Sequence, residues 1–262
     1  MMKNAFTLIS RFSLLLCIVS LAGIATSCRS TYDFMRASPA EVTNFIPESP
    51  KLQDQDPRFP FRKMWIANLG DLSQYKKIYI APVDTRHIFD KNWWAAFNEQ
   101  EAFKGEKEAL DWMSGYMRTS FRNAVFDDPK KRFVLLNSRS DSPDSLVLEL
   151  ALIELIPSKA TLNTVETIVG FIIPGVGLLT IFNSGSVAIE GKLTDASNGK
   201  IICLFADRES DRASVINIAG FSWFRHSEII VNCWASDFVE VMNAGSDPWK
   251  VEARFPFTLV EY

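Results

Sequence analysis

Few side chains in this 262-residue sequence have the types and spacing that catalysis requires. The chain contains two histidines, His87 and His226, and four cysteines without a Cys-x-x-Cys pair. Because structural zinc needs closely spaced cysteine and histidine ligands, we expect no metal site, and no motif indicates a cofactor. An enzyme would use His87 or His226 with Asp84 or with the acids of residues 207–211. Asp84 and His87 follow a predicted strand, but neither a serine elbow nor metal-ligand spacing accompanies them.

Two glutamates interrupt the apolar segment from Leu146 to Ile156. A pair of carboxylates can act as general acid and general base. Glu149 and Glu154 are five positions apart, so in a regular strand they are predicted to point to opposite faces. We interpret them as solvated groups at the edge or end of a strand.

A compact charge run covers residues 207–212. One interpretation is a solvated strand end, and the other is a set of carboxylates that binds a cation. The spacing and the glycine of a calcium-binding helix–loop–helix are absent.

The N-terminus has the features of a secretory signal. Lys3 and Arg11 supply positive charge without an acid, and the apolar stretch from Phe12 to Ala25 follows. That stretch is shorter than the ~20 residues that cross a bilayer comfortably. Its end, Leu21-Ala-Gly-Ile-Ala-Thr-Ser-Cys28, resembles a bacterial lipoprotein signal, although Ala25 stands where the pattern usually has leucine. An uncleaved signal anchor and an ordinary secreted protein are the alternatives.

The signal resemblance implies a lipid anchor on Cys28, the cysteine that would receive diacylglycerol and become the first residue of the mature chain. Residue 29 is Arg. An Asp at this position resembles an inner-membrane retention signal, so its absence favours the bacterial outer membrane, with the protein facing the periplasm. The expected partner is therefore the membrane, through the lipid anchor.

The elements that would position these residues follow from periodicity. Residues 1–27 are the signal peptide, residues 28–75 are rich in Pro, Ser, Asp and Gln and are predicted to form an extended tether, and residues 76–262 form a single domain. Alternating apolar residues predict strands over 76–83, 132–137 and 146–156, and a hairpin between residues 186 and 211. Asn198 and Gly199 favour the hairpin turn.

Two helices are predicted from apolar stripes at a spacing of three and four residues. The first covers residues 99–126 and the second residues 222–241. Single stripes fit packing on one side only, so the fold class is α+β, a two-layer domain with a mixed or antiparallel sheet of about five strands and two helices packed on one face.

An apolar run with one proline and three glycines extends from Ile168 to Phe182. It is too short to span a bilayer, and proline and glycine disfavour a helix. Three interpretations stay open: a buried connector, a surface loop that touches a partner protein, and a loop that dips into the bilayer. For the second and third, the contact residues would be Phe171, Ile172, Leu178 and Leu179.

Cys203 lies on the core side of the predicted hairpin, and Cys233 lies on the second predicted helix. In an oxidising periplasm the two could form a disulfide that joins helix to sheet. Two buried free thiols are the alternative.

Several motifs together are similar to a family of uncharacterised bacterial lipoproteins that is catalogued as a domain of unknown function. They are Lys76-Lys-Ile-Tyr-Ile-Ala-Pro-Val83, Asn92-Trp-Trp94, Leu146-Val-Leu-Glu-Leu-Ala-Leu152, Gly185-Ser-Val-Ala-Ile-Glu-Gly191 and Phe205-Ala-Asp-Arg-Glu209. The resemblance runs from about Phe45 to the end. It implies an envelope location and an α/β domain, and it transfers no catalytic residue.

Two function classes are therefore considered. The first is a non-enzymatic envelope lipoprotein that binds an envelope protein or component, and the second is an envelope hydrolase or other enzyme. The lack of a catalytic constellation favours the first. Nucleic acid is not an expected partner, because the net charge is −3 and no basic patch stands out.

Overall fold

The computed structural model describes residues 37, 39–67, 69–90, 106–156, 186–210, 225–245 and 247–253. Seven strands form one sheet. They are β1 (Gln53–Asp54), β2 (Lys63–Ile66), β3 (Lys77–Ile80), β4 (Val134–Leu136), β5 (Ser145–Ile156), β6 (Ser186–Asp195) and β7 (Ile201–Ser210). The helices are α1 (Glu106–Asp127) and α2 (Arg225–Asn243), and short 3-10 turns cover Ser49–Lys51, Leu69–Gln74, Arg86–Asp90 and Pro248–Lys250.

The sheet is mixed, with the strand order β1-β2-β7-β6-β5-β3-β4. Strand β3 runs parallel to both of its neighbours, β4 and β5. The remaining pairs are antiparallel. The predicted α+β class, the mixed sheet and the two helices are therefore confirmed.

The predicted count of about five strands is wrong, because the sheet has seven. The two additional strands, β1 and β2, are short and lie within residues 28–75, for which the sequence predicts an extended tether. Strand β2 pairs with β7, and Phe61 and Met64 are fully buried in the core. Two and four residues are too few for an alternating pattern to stand out, so these strands form through pairing with β7 rather than through local preference.

Both helices bury their apolar stripe against one face of the sheet. Leu110, Met113, Met117 and Phe121 of α1 and Ile230, Trp234, Phe238 and Val241 of α2 belong to one core cluster with Leu148, Leu150 and Leu152 of β5. The two predicted stripes are thus confirmed for the described residues. Phe103 and Trp223, which lie within the two predicted helices, fall outside the described residues.

The predicted hairpin is strands β6 and β7, which pair antiparallel along their whole length. Gly199 closes the turn with φ +74°, a conformation that glycine adopts without steric cost. Both faces of β6 are buried, so the hairpin lies inside the sheet rather than at its edge.

Candidate functional site

Among the residues that the structure describes, one face of the sheet carries no helix, and its side chains differ in kind from those of the core. We call it the helix-free face. On strand β6, Val187, Ile189 and Leu193 belong to the main core cluster. The alternate residues Ala188 and Glu190 therefore point to the opposite face, since successive strand residues alternate. This face combines small residues with charged ones, the composition expected of a surface for polar recognition.

A β-bulge changes the face on which one glutamate lies. The pairing of β5 with β6 shifts between Leu152 and Glu154, so Ile153 is an extra residue. Beyond the bulge Leu155 belongs to the main core, which leaves Glu154 on the helix-free face. The prediction that Glu149 and Glu154 point to opposite faces is therefore wrong, because that prediction assumed a regular strand.

Glu154 is held at the end of the hairpin by two neighbours. The Nε of Arg208 donates to Glu154 Oε1 over 2.7 Å, and the hydroxyl of Ser186 donates to the same oxygen over 2.6 Å. The Glu154 side chain is only 8% exposed. The interpretation of Glu154 as a solvated strand-end group is therefore wrong. A buried carboxylate that accepts from a guanidinium and a hydroxyl on one oxygen is fixed in place.

Glu149 has a more open environment. Its carboxylate lies 3.2 Å from the Nζ of Lys192, and its side chain is 38% exposed. Such a pair contributes little to stability, about 1 kcal/mol or less. Glu149 and Glu154 share a face, but each is bound to its own cation.

Glu190 lies at the centre of the helix-free face and is 2% exposed. Its two pairing partners on the neighbouring strands are both alanine, Ala151 and Ala206. Because alanine side chains are short, the floor around the carboxylate is a depression. We call this depression the alanine groove, formed by Ala151, Ala188, Ala206, Ile153 and Glu190.

The alanine groove contains a segment of the chain itself, residues 39–46, which we call the strap. Thr43 donates its backbone N–H to Glu190 Oε1 over 2.6 Å and its hydroxyl to Glu190 Oε2 over 2.8 Å. Ala40 and Phe45 of the strap pack on the cluster of Ala151, Ile153 and Ala188. The strap thus donates a hydrogen bond to each oxygen of a buried carboxylate.

Phe45 of the strap contacts Lys192 and His87 on the helix-free face. The Nζ of Lys192 lies 5.3 Å from the centre of the Phe45 ring, and the His87 ring meets Phe45 edge-on at 5.5 Å. These are the geometries of a cation–π contact and of an edge-to-face aromatic pair. The aromatic ring is therefore oriented as well as partly buried.

Asp84 and His87, the enzyme candidates at the end of β3, lie close together. The Nε2 of His87 is 3.7 Å from Asp84 Oδ2, which is too long for a hydrogen bond. The same carboxylate accepts hydrogen bonds from Arg86, whose Nη2 lies 2.5 Å from Oδ2. The hydrogen bonds from Arg86 lower the pKa of Asp84, with burial acting in the opposite direction. Asp84 is thus an ionised partner of Arg86 rather than a base hydrogen-bonded to His87.

The described part of the charge run at 207–212 is not a solvated strand end. Asp207 is buried and accepts hydrogen bonds from Trp234 Nε1 over 2.7 Å and from the backbone N–H of Arg62 over 3.1 Å. Asp207 therefore joins α2 and the segment before β2 to the hairpin. The described residues contain no group of three or more His, Cys, Asp or Glu that could hold a metal.

Several predicted site residues lie outside what the structure describes. They are Cys28, Phe171, Ile172, Leu178, Leu179 and the side chain of His226. No helix among the described residues has the length and apolar character needed to cross a membrane.

The disulfide considered between Cys203 and Cys233 is not formed. Cys203 is a free thiol without solvent exposure, and burial raises its pKa far above the ordinary value. Cys233 is half-buried on α2. The predicted alternative of two buried thiols is therefore correct for Cys203 and not for Cys233. A thiol that stays protonated is a poor nucleophile.

Sequence reasoning missed Thr43 and Glu190, the pair that joins the strap to the sheet. One signal was available, because a glutamate in the middle of a strand with a glycine and alanines nearby is unusual for a fully buried element. The partner could not be found in this way, since Thr43 and Glu190 are 147 positions apart.

The chain has distant likenesses among solved structures. The chain is similar to a PelC dodecamer from Paraburkholderia phytofirmans, at 11% identity and a TM-score of 0.35, over 73% of this chain and 98% of that chain. It is similar to protein XCC0632 from Xanthomonas campestris, of family DUF330, at 12% identity and a TM-score of 0.36, over 66% and 84%. For the hypothetical protein CT253 from Chlamydia trachomatis the values are 11%, 0.32, 64% and 94%. TM-scores this low carry no argument about this chain.

No curated protein matches the sequence. A family described as "Protein of unknown function (DUF3313)" matches residues 43–238. This range contains all seven strands, the whole of α1, and α2 as far as Phe238. Because the match covers most of the sequence, the chain belongs to the DUF3313 family of proteins of unknown function.

Proposed function

We propose that the protein is a bacterial envelope lipoprotein, anchored through Cys28 in the outer membrane and facing the periplasm, whose domain binds an envelope protein or component without catalysing a reaction. The observation that carries the binding role is the strap in the alanine groove. A sheet face that already holds another segment of polypeptide through a buried carboxylate has the chemistry of a recognition surface.

The lipid anchor is supported by the sequence around Cys28. A positive start, a short apolar stretch and small residues before the cysteine are the features of the signal. In cells fed radiolabelled palmitate, we expect label on the wild-type chain and none on Cys28→Ser, which stays at precursor size. Cys17→Ser is the matched control and should be labelled and processed normally. Normal processing of Cys28→Ser would refute the anchor.

The outer-membrane location is supported by Arg29, the residue after the acylated cysteine. Separation of inner and outer membranes on a sucrose gradient should find the wild-type protein in the outer-membrane fraction. Arg29→Asp should move it to the inner-membrane fraction, and Arg29→Asn, which introduces no charge, should not. An unchanged distribution for Arg29→Asp would contradict the sorting argument.

A non-enzymatic role is supported by how the carboxylates of the helix-free face are used. Glu154 binds Arg208 and Ser186, Glu190 binds Thr43, and Asp84 binds Arg86. Groups held in this way position structure, whereas a general base must be within reach of a substrate proton.

The second candidate is an envelope enzyme, and the observation in its favour is that a histidine and a carboxylate, His87 and Asp84, lie side by side after β3. The discriminating experiment is a His87→Ala, His226→Ala double variant in a strain that depends on the protein. Full function would remove the strongest enzyme candidates. Loss of function by a variant that still folds and reaches the membrane would favour the enzyme.

The partner is best sought by photo-crosslinking in intact cells, with the reactive residue at Phe171 or at Leu178. A discrete protein adduct would support an interaction module and identify its partner. Lipid adducts would make residues 168–182 a second membrane contact. Internal adducts alone would assign this run to the core and leave the alanine groove as the recognition surface to test.

A further inference from the structure

The strap lies along strand β6 and runs in the same direction as that strand. Strap residues contact the helix-free face in order, namely Ala40 the cluster of Ala188, Thr43 the carboxylate of Glu190, and Phe45 the side chain of Lys192. These three β6 positions are two residues apart, so each step covers about 6.6 Å of strand. The chain therefore reaches the sheet near the start of β6 and advances toward its end.

The chain is docked on the domain from Ala37 onward. Ala37, which precedes the strap, is 3% exposed, and Ile46, the last residue of the strap, is fully buried. The N–H of Ile46 donates to the carbonyl of Thr43 in a turn, and Thr43 donates two hydrogen bonds to Glu190. Buried residues before and after these hydrogen bonds make the strap part of the folded domain.

The stretch between the proposed lipid anchor and the docked chain is short. Cys28 and Ala37 are nine positions apart. When fully extended, nine residues span at most about 32 Å, because each residue contributes about 3.6 Å. The docked strap thus shortens to this length a tether that the sequence predicts to cover residues 28–75.

The sheet is about as long as this stretch. We call the start of β6 at Ser186 the near end of the sheet, and the hairpin turn at residues 196–199 the far end. The 10 residues from Ser186 to Asp195 span about 30 Å. With the far end on the membrane, the stretch from Cys28 would have to be almost fully extended, which costs nearly all of its conformational entropy. The anchor therefore holds the near end toward the bilayer.

The net charge opposes a position in which the domain lies flat on the membrane. Removal of the signal takes away Lys3 and Arg11, the only charged side chains in residues 1–27, and lowers the net charge from −3 to −5. A bilayer that contains anionic lipids repels a domain of this charge. The smallest contact that the anchor allows is contact through the near end.

We propose that the near end is the membrane-facing surface of the domain, and that the strap holds the domain upright with its far end directed into the periplasm. The partner of this surface is a phospholipid bilayer, reached through the lipid on Cys28. The strap is then a positioning segment that sets both the orientation of the domain and its height above the membrane. This inference rests on the proposed lipid anchor.

The main experiment measures energy transfer from two sites of the domain to the membrane. The lipidated full chain is placed in vesicles of phosphatidylethanolamine and phosphatidylglycerol that contain a headgroup-labelled acceptor lipid. A donor dye is attached through Glu41→Cys or through Asn198→Cys in the far-end turn, both of which are exposed positions. Cys233→Ser is present in both variants, and Cys203 is buried away from the dye.

The two dye positions differ in their expected height above the bilayer. Glu41 lines the same depression as Ile189, which is six strand residues before Asp195, so position 41 lies about 20 Å closer to the near end than the turn. Energy transfer from position 41 should be at least twofold greater than transfer from position 198. Equal transfer from the two positions, or greater transfer from position 198, would overturn the proposal.

A change of tether length tests whether the short reach sets the orientation. Twelve Gly-Ser residues inserted between Arg29 and Ser30 add up to about 43 Å of reach. We expect this insertion to reduce the difference in energy transfer at least twofold, because the domain can then turn over. Replacement of residues 30–35 by Gly-Ser of equal length is the matched control and should leave the difference unchanged. A full difference in the inserted chain would show that tether length does not orient the domain.

Hydrogen exchange tests whether the strap is held by Glu190. Glu190→Gln weakens the acceptor of the Thr43 N–H, so exchange at Thr43 should be at least fivefold faster. Glu149→Gln is the matched control, because Glu149 lies on the same face but is paired with Lys192. Exchange at Ile78 in strand β3 checks that the fold is intact. Unchanged exchange at Thr43 in Glu190→Gln would refute the docking of the strap through Glu190.

The outcome is distinguishable from that of the proposed function. Mass spectrometry and vesicle flotation report whether the chain is acylated and bound. A chain that is neither acylated nor bound would refute the anchor, and this inference would fall with it. A chain that is acylated, floats with the vesicles and shows equal energy transfer from both positions would refute the orientation alone.

Discussion

The two faces of the sheet are stabilised by different means. The face toward α1 and α2 buries large apolar side chains, among them Phe121, Phe205 and Phe238, whose rings lie within 6 Å of one another in successive pairs. The helix-free face buries charges instead, and each of Glu154 and Glu190 has hydrogen-bond donors at its oxygens. Apolar burial adds stability in proportion to area, whereas buried charges mainly impose a penalty on any change that removes a partner. The first face is thus stabilised by its apolar area, and the second by the partners of its buried carboxylates.

The largest expected effect is on the helix-covered face. Phe238→Ala removes a fully buried ring that contacts Phe121 and Phe205, and cavities of this kind cost about 3–5 kcal/mol. Urea unfolding followed by circular dichroism measures the change. Phe126→Ala is the matched control, because Phe126 is 67% exposed and should change the free energy of unfolding by about 0.5 kcal/mol or less. Similar losses for the two variants would contradict the position of the core.

The next effect is on the helix-free face. Arg208→Met leaves the buried carboxylate of Glu154 without its cation and should destabilise by about 3 kcal/mol. Lys192→Met on the same face is the control, and it should cost about 1 kcal/mol or less because Glu149 is more exposed. Adding Glu154→Leu to Arg208→Met should recover much of the loss. Additive losses in the double variant would show that the pair is not coupled.

A smaller effect is expected where strand β6 packs against the Phe205 ring. A Cβ on Gly191 would lie 2.0 Å from the Phe205 ring, so Gly191→Ala must displace a packed aromatic side chain and should cost about 1–3 kcal/mol. Gly115 has open space around it in the middle of α1. Gly115→Ala should therefore stabilise by about 1 kcal/mol or less, because alanine favours helix. Thermal unfolding of both variants checks the opposite signs.

The smallest expected effect is on the pH dependence of stability. Burial by itself would raise the pKa of Asp195, but hydrogen bonds from Ser197 and Tyr75 outweigh it and hold the pKa below the ordinary 3.8. The contribution of this carboxylate is therefore complete above about pH 4 and is lost as the pH falls through the lowered value. In unfolding titrations between pH 6 and 2, Asp195→Asn should flatten the acid slope.

Asp84→Asn provides the comparison for this titration. The pKa of Asp84 is also lowered, chiefly by hydrogen bonds from Arg86, whose side chain is 86% exposed. Because solvent screens an exposed partner, the slope should change less than in Asp195→Asn. A larger change for Asp84→Asn would mean that the helix-free face, and not the core side, controls acid stability.

Much of the fold could be predicted from local pattern. The stripes of α1 and α2, the long strand β5 and the hairpin with Gly199 in its turn all follow from periodicity over 10 to 20 residues. The predicted helix ends at residues 126 and 241 lie within two residues of the observed ends, Asp127 and Asn243. The family without an assigned activity was also predicted from motifs, and the match over residues 43–238 confirms it.

The candidate site could be predicted far less well. Asp84 and His87 were predicted to follow the first predicted strand. They do so and lie close together, because residues three positions apart in a chain stay close in any conformation. Glu154 was predicted on the wrong face, because one extra residue at Ile153 reverses the alternation of everything after it. Lipid attachment at Cys28 and contacts at Phe171 and Leu178 stay predictions.

The sequence by itself determined which segments are helix or strand and which side of each is apolar, because these properties depend on neighbours within a few turns or pleats. Only the tertiary structure decided that β1 and β2 join the sheet, that the bulge brings Glu154 to the face of Glu149, and that Thr43 reaches Glu190 across 147 positions. These features depend on partners supplied by distant segments. A short strand or a buried carboxylate is stable only when it is paired with such a segment, so its position cannot be predicted from a local pattern.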